Sequence, residues 1–308
     1  MGVEGLDRIL HGGLPRDRLY LIQGDPGVGK TTLALQFLLE GARHGEVGLY
    51  ISLSETKAEI LEVAESHGWS LEKISLYELT TIEENVRGDS ESTFFHPSEV
   101  ELSRTTEALL AEIERVAPQR VVFDSLSEMR MLSDTPLRYR RHILQLKQFF
   151  AGKSCTVLLL DDRSANRPDL QVESIAHGVI TLLRESPGYG ISKRLLHVMK
   201  VRGSEFREGF HDIILKKGGM KIFPRLVAGE SSTPFAREDF SSGISQLDDL
   251  FGGGVGRGTS TMFMGPPGTG KSTLGILFAH ELALQQEKSL VFLFDETVGT
   301  YLDRAAKL

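Results

Sequence analysis

Gly24-Asp25-Pro26-Gly27-Val28-Gly29-Lys30-Thr31 decides the fold of this chain. It fits the pattern G-x-x-x-x-G-K-[ST], and its setting supplies what the pattern alone lacks. Ahead of it, Leu19-Tyr20-Leu21-Ile22 is a short apolar run that reads as a strand. Behind it, Thr31 to Arg43 carries apolar residues at helical spacing. Glycines let the backbone wrap closely, so that successive N–H groups converge on phosphate oxygens. The start of the helix adds partial positive charge. In this reading Lys30 reaches β- and γ-phosphates, Thr31 offers its hydroxyl to Mg2+, and Thr32 bonds an α-phosphate. The plain alternative is a glycine-rich turn that binds nothing.

Outward from the loop, strands and helices alternate. Gly48 to Leu53 reads as a strand and Lys57 to His67 as a helix stopped by Gly68. Ile74 to Leu79 is a strand, Ser98 to Val116 a helix closed by Pro118, and Val121-Val122-Phe123 a buried strand. Arg138 to Phe150 is a helix and Thr156 to Leu160 a strand. Buried strands alternating with amphipathic helices imply an α/β fold with a mostly parallel sheet covered on both faces. From Gly178 the pattern changes. Gly178 to Leu183, Arg194 to Lys200, His211 to Lys216 and Met220 to Phe223 are strands without helices between them, expected as antiparallel additions at one edge.

The carboxylates at strand ends are candidates for the chemistry. Asp124 follows Val121-Val122-Phe123, and a carboxylate at the C-terminal end of a buried strand lies beside the phosphate loop, where it can hold the Mg2+ shell. The alternative is a helix N-cap. Asp161 and Asp162 end the next apolar strand, where they polarise water or sense phosphate, or else are exposed loop charges.

The loop occurs twice. Gly265-Pro266-Pro267-Gly268-Thr269-Gly270-Lys271-Ser272, followed by Thr273, repeats it, and Lys271 follows Lys30 by 241 residues. The same offset relates Gly2-Val3-Glu4-Gly5-Leu6-Asp7 to Gly243-Ile244-Ser245-Gln246-Leu247-Asp248, and Ser54-Glu55-Thr56 to Asp295-Glu296-Thr297. Three blocks in one register imply duplication of a whole domain. Residues 1–223 are expected to form a first domain and residues 224–240, rich in turn formers and polar side chains, a linker. Residues 241–308 are expected to be the N-terminal part of a second domain, incomplete at Leu308. By the repeat, Gly265 to Thr273 form a second nucleotide loop, with Ser272 as its metal-facing hydroxyl.

Composition narrows the function. The formal net charge is −7, whereas duplex binding calls for a basic excess, so nucleic acid is disfavoured as a ligand. The single cysteine, Cys155, lies in an apolar run and reads as a buried core thiol. No apolar stretch approaches the ~20 residues that cross a bilayer, and nothing resembles a signal peptide, so a cytoplasmic location is expected. The nine histidines show no metal-ligand spacing. Trp69 and the pairs Phe94-Phe95 and Phe149-Phe150 read as packing residues, and Arg138, Arg140 and Arg141 as an interface or solvated helix face.

Taken in order, Leu6-Asp7, His11-Gly12-Gly13-Leu14-Pro15, the first loop, Ser54-Glu55-Thr56, Gly68-Trp69, Phe123-Asp124-Ser125 and Lys200-Val201-Arg202-Gly203 resemble the KaiC-like ATPases across nearly all of the chain. The resemblance implies RecA-like P-loop NTPase domains in tandem, assembled as a ring, usually a hexamer, with ATP and Mg2+ between adjacent subunits. It also implies that a glutamate after the second strand prepares water for attack. The family carries a pair of glutamates there, and here the pair is Ser54-Glu55, so Glu55 acts alone. Lys200 and Arg202 match the basic residues that reach a neighbouring subunit's site. They lie two apart on an expected strand and so face one side; the alternative is a solvated strand face. The family's self-phosphorylation sites fall later than Leu308, so the resemblance carries no autokinase expectation for this chain. Three functions follow: an ATPase completed across a subunit interface, a nucleotide-gated scaffold with negligible turnover, which Ser54 favours, and a RecA- or DnaB-like DNA motor, which the net charge disfavours.

Overall fold

The computed structural model describes residues 1–79, 97–131, 133, 135–163, 170–227 and 238–308, which divide into two compact units, Met1–Leu226 and Val227–Leu308. In the first unit the described helices are α1 (Glu4–Ile9), α2 (Lys30–Arg43), α3 (Lys57–Ser66), α4 (Pro97–Val116), α5 (Leu126–Met131), α6 (Pro136–Phe150) and α7 (Leu170–Ile175). Its strands are β1 (Leu19–Gly24), β2 (Gly48–Ser52), β3 (Ile74–Glu78), β4 (Arg120–Asp124), β5 (Thr156–Asp162), β6 (Gly178–Glu185), β7 (Lys193–Val201), β8 (Phe210–Lys216) and β9 (Gly219–Phe223). They form one nine-stranded sheet in the order β3-β2-β4-β5-β1-β6-β7-β8-β9.

Strand alternation sorts the core into two layers. Tyr20, Ile22, Tyr50, Val122, Leu158 and Leu160 face the layer packed with Leu33, Leu35 and Leu38 of α2 and Ile60 and Ala64 of α3. Their neighbours Leu19, Leu21, Leu49, Ile51, Val121, Phe123, Val157 and Leu159 face the opposite layer, with Leu109 and Ile113 of α4, Ile143 and Leu146 of α6, and Val172 of α7. Strands buried on both faces explain the near-continuous apolar runs in the sequence. Helix starts are set locally: Thr56 and Glu59 form a reciprocal capping box for α3, and Thr135 accepts from the Arg138 N–H ahead of α6, with Pro136 in the first turn.

One expectation is corrected. β6 is not an antiparallel addition: it pairs parallel with β1, Tyr20 opposite Gly178 and Gly24 opposite Leu182. Parallel strands need a long crossover between them, and α7 lies on the connection from β5 to β6. Antiparallel pairing begins at β7 and continues through β8 and β9. The short helices α1, α5 and α7, six residues each, carry too few turns to show a period in the sequence.

Cys155 is buried, and burial pushes its thiol up to about 12. Trp69 packs on the α2-side core, and Phe149 meets Phe150 edge-on at 5.2 Å between ring centres. Phe94 and Phe95 lie outside the described residues. No described helix is long and apolar enough to cross a membrane.

The second unit holds β10 (Asp239–Phe240), α8 (Ser245–Phe251), β11 (Val255–Gly256), α9 (Lys271–Leu284) and α10 (Val298–Ala305). β10, at the end of the expected linker, pairs antiparallel with β11. The repeat is structural as well as textual. Helix α9, like α2, has 14 residues, and each is entered through a left-handed glycine, Gly270 and Gly29. Thr297 caps α10 as Thr56 caps α3. Among the described residues, the counterparts of β1 and β2 in this unit, residues 260–265 and 289–293, are unpaired. In the first unit β4 and β5 stand between those two strands, so β1 and β2 never touch each other; their counterparts therefore have no reason to pair.

Candidate nucleotide site

Helix α2 begins at the C-terminal end of β1, and Gly24 to Gly29 form the turn between them. A Cβ at Gly24 would lie 2.4 Å from the Leu182 carbonyl oxygen, so no larger residue fits against β6. Gly27 and Gly29 have φ of 71° and 113°, values that L side chains rarely adopt, and a Cβ on Gly27 would project into open space. The loop therefore presents bare backbone outward. Lys30, only 7% exposed, donates to the carbonyls of Gly24 at 2.9 Å and Asp25 at 3.1 Å and to Asp162 Oδ1 at 2.6 Å.

Three further strands deliver side chains to this end of the sheet. Asp124 ends β4, and its Oδ2 accepts from Thr31 Oγ1 at 3.1 Å and from the Tyr50 hydroxyl. The Asp124–Ser125 peptide is cis. Tyr50 meets Asp124 because β2 and β4 run parallel with Ser52 opposite Asp124, so residues 50, 52 and 124 share a face. Asp124 is buried, which raises its pKa; the hydrogen bonds from Tyr50 and Thr31 and the charge of Lys30 oppose that rise. Burial, then the Asp124 charge, raises Tyr50 well above its ordinary value, so its hydroxyl remains a donor.

Glu55 follows β2. Its N–H donates to Ser52 Oγ at 2.9 Å, and Ser52 Oγ donates back to the Glu55 carbonyl at 2.5 Å, which pins the turn. Its Oε2 is buried with no hydrogen-bond partner, and burial raises its pKa, with Asp124, Glu59 and Asp162 adding to the rise and Lys30 opposing it. Ser54 is exposed.

Asp161 and Asp162 are both part of β5 rather than of a loop. Alternation separates their side chains, Asp162 to Lys30 and Asp161 to Arg130 of α5, while Ser127 Oγ of α5 reaches both, 3.1 Å from Asp161 Oδ1 and 3.5 Å from Asp162 Oδ2. On the other side of the loop, Thr32 Oγ1 lies 3.3 Å from His67 Nε2, whose ring packs tilted against Trp69 with the ring centres 4.6 Å apart.

Lys200 and Arg202 are not brought to this group. Lys200 Nζ donates to the Glu173 carbonyl and Arg202 Nη2 to the Ser174 carbonyl at 2.9 Å, both on α7. Helix α7 packs in the layer opposite α2, so these cations and Lys30 lie on different faces of the sheet. Lys200 is opposite Val179, which is opposite Leu21, three residues back along β1 from Gly24. That is about 10 Å toward the N-terminal edge. Burial, then Arg202, lowers the Lys200 pKa.

In the second unit, Lys271 Nζ donates to the carbonyls of Gly265 at 2.7 Å and Pro266 at 2.8 Å, the counterparts of two contacts of Lys30. Among the described residues no cluster of three or more His, Cys, Asp or Glu is arranged to hold a metal. A Mg2+ ion here would instead take Thr31 and Asp124 together with phosphate oxygens. The bare loop, the lysine at its mouth and the buried, partnerless Glu55 oxygen fit such a group.

Sequence reasoning missed Tyr50, Ser127 and Arg130. Tyr50 was hidden in an apolar strand, and only its register against Asp124 reveals it.

A mostly parallel sheet with this loop at the C-terminal end of β1 and Asp124 at that of β4, one strand away, is the architecture of a P-loop nucleotide-binding domain. The family profile described as ATPase: KaiC matches residues 1–227 and 240–308, and the chain belongs to that family. Circadian clock protein KaiC2 of Synechocystis sp. (strain ATCC 27184 / PCC 6803 / Kazusa) is 29% identical over 301 residues, 96% of this chain and 52% of that protein. Circadian clock oscillator protein KaiC 1 of the same organism is 28% identical over 303 residues, 96% of this chain and 57% of its own length. Circadian clock oscillator protein KaiC of Parathermosynechococcus lividus is 28% identical over 304 residues, 96% of this chain and 55% of its own length. The chain thus spans little more than half the length of these relatives.

Proposed function

We propose that this chain binds Mg-ATP at the Gly24–Thr32 loop and hydrolyses it slowly, in an oligomer whose adjacent copy supplies Lys200 and Arg202. The observation that carries the reading is the convergence of Lys30, Thr31, Asp124 and the buried, partnerless Glu55 oxygen at the ends of β1, β2 and β4. Lys30 takes the β- and γ-phosphates, with loop N–H groups on the remaining oxygens. Bound Mg2+ neutralises phosphate charge, and Thr31 and Asp124 hold its shell. Tyr50 fixes the orientation of the Asp124 carboxylate. Glu55 orients the attacking water and accepts its proton, a role suited to a carboxylate whose pKa is raised by burial.

The trans role of the cations rests on placement. Lys200 and Arg202 lie across the sheet from Lys30, so they do not serve their own loop. In a ring, the hexamer that the family resemblance implies, the C-terminal end of one copy's β7 would face the next copy's loop. There the two cations would stabilise charge building on phosphoryl oxygens. Residues 241–308 then belong to a second domain of the same type, with Gly265 to Thr273 as its nucleotide loop and Ser272 facing the metal. The cytoplasm is the proposed compartment.

A second reading is a nucleotide-gated scaffold in which ATP holds copies together and turnover is negligible; exposed Ser54 in place of a first glutamate favours it. Phosphate release from the purified oligomer decides between the two. Measurable turnover that Glu55→Gln abolishes while nucleotide stays bound supports the ATPase. Nucleotide-dependent assembly without phosphate release supports the scaffold.

A further inference from the structure

We propose that Asp162 competes with the phosphates of a bound nucleotide for the Lys30 ammonium, and thereby sets how tightly this chain holds nucleotide. The inference rests on the reading of Gly24–Thr32 as a phosphate loop. An ammonium has three N–H donors, and Lys30 spends all three, on the Gly24 carbonyl, the Asp25 carbonyl and Asp162 Oδ1. A phosphate oxygen can reach Lys30 only by displacing one of them. The two carbonyls belong to the loop that carries Lys30. Asp162 belongs to a separate strand and carries the same sign of charge as the phosphate, so it is the partner that gives way.

Asp162 also has a partner that does not depend on Lys30. Ser127 Oγ lies 3.5 Å from Asp162 Oδ2 and accepts from the Asp162 N–H at 3.3 Å. The Asp161–Arg130 pair fastens the adjoining residue of β5 to the same helix, α5, so giving way requires movement of the Asp162 side chain and not of its backbone. Asp162 is 42% exposed at its side chain, so solvent screens the pair and the competition is moderate.

The test uses Asp162→Asn in the whole chain, with fluorescent ADP titrated into wild type and variant. The variant is expected to bind about tenfold more tightly, or ~1.4 kcal/mol. The second measurement is the melting temperature of the protein without nucleotide, in a double-mutant cycle with Lys30→Met. Asp162→Asn is expected to lower it in the wild-type background, because the buried Lys30 loses its counterion, and to leave it unchanged in the Lys30→Met background. Affinity that is unchanged or weaker in Asp162→Asn overturns the proposal. Tighter binding with additive melting shifts also overturns it, because the effect then comes from bulk charge and not through Lys30. Failure of the wild type to bind ADP refutes the phosphate-loop reading itself, and this proposal with it.

Discussion

Tyr50→Phe removes one oxygen atom from the site and leaves the core filled. Tyr50 is fully buried, and its ring packs in the α2-side layer, so phenylalanine fits the same space. What is lost is the hydroxyl donated to Asp124 Oδ2, which leaves that oxygen with Thr31 Oγ1 at 3.1 Å. A hydrogen bond to a charged group contributes roughly 1.5–3 kcal/mol. For a unit of this size each kcal/mol moves the melting temperature by about 2–4 °C. A loss of about 2 kcal/mol therefore lowers it by roughly 4–8 °C at pH 7.5. The drop should shrink as pH falls through the Asp124 pKa, which burial raises, because the carboxylate then takes up a proton and the lost bond is one to a neutral acid. The same substitution frees the Asp124 rotamer, and loss of such a supporting bond weakens metal affinity by about 10–100-fold. Scanning fluorimetry gives the first effect, and Mg2+ titration of fluorescent ADP binding the second. An unchanged melting temperature with an unchanged Mg2+ midpoint would refute the assignment of Tyr50 as the residue that orients Asp124.

Lys30→Ala is expected to reduce ADP binding to background by removing the main charge facing the β- and γ-phosphates, whereas Lys271→Ala in this chain should leave turnover nearly unchanged, since residues 241–308 include no counterpart of Asp124; equal losses in a phosphate-release assay would contradict that. Glu55→Gln should keep nucleotide bound and stop hydrolysis; unchanged turnover would move the water-orienting role to Asp162. The same variant has a pH signature. Because the folded-state pKa of Glu55 is raised, its contribution to stability is present below its ordinary value of 4.5 and lost as pH rises through the raised value. Glu55→Gln should therefore melt higher than wild type at pH 7–8 and equal to it near pH 4, and a lower melting temperature at neutral pH would show that the carboxylate is stabilised rather than strained.

Much of the fold was legible because its determinants are local. Doubly buried strands leave apolar runs, and the loop and the stop at Gly68 each act within a few residues. What escaped was long-range. Whether β6 runs parallel depends on the crossover through α7, not on the β6 sequence, which looks the same either way. The pairing of Tyr50 with Asp124 depends on strand register, and the partition of Asp161 and Asp162 depends on which face each helix covers. Lys200 and Arg202 could be singled out by motif, but only the sheet order reveals that they lie away from their own loop.

That placement makes the shared site the most direct test of the account. Glu55→Gln and the double variant Lys200→Ala/Arg202→Ala are prepared separately, and phosphate release is measured for each and after co-assembly, with mixed oligomers confirmed by light scattering. Each parent is expected to be inactive, the double variant falling by about 10³-fold if the cations act as trans fingers do. Mixed oligomers are expected to recover part of the activity, because some interfaces join an intact loop and Glu55 to an intact pair of cations. Confirmed mixed oligomers as inactive as either parent would contradict the account and remove Lys200 and Arg202 from the site.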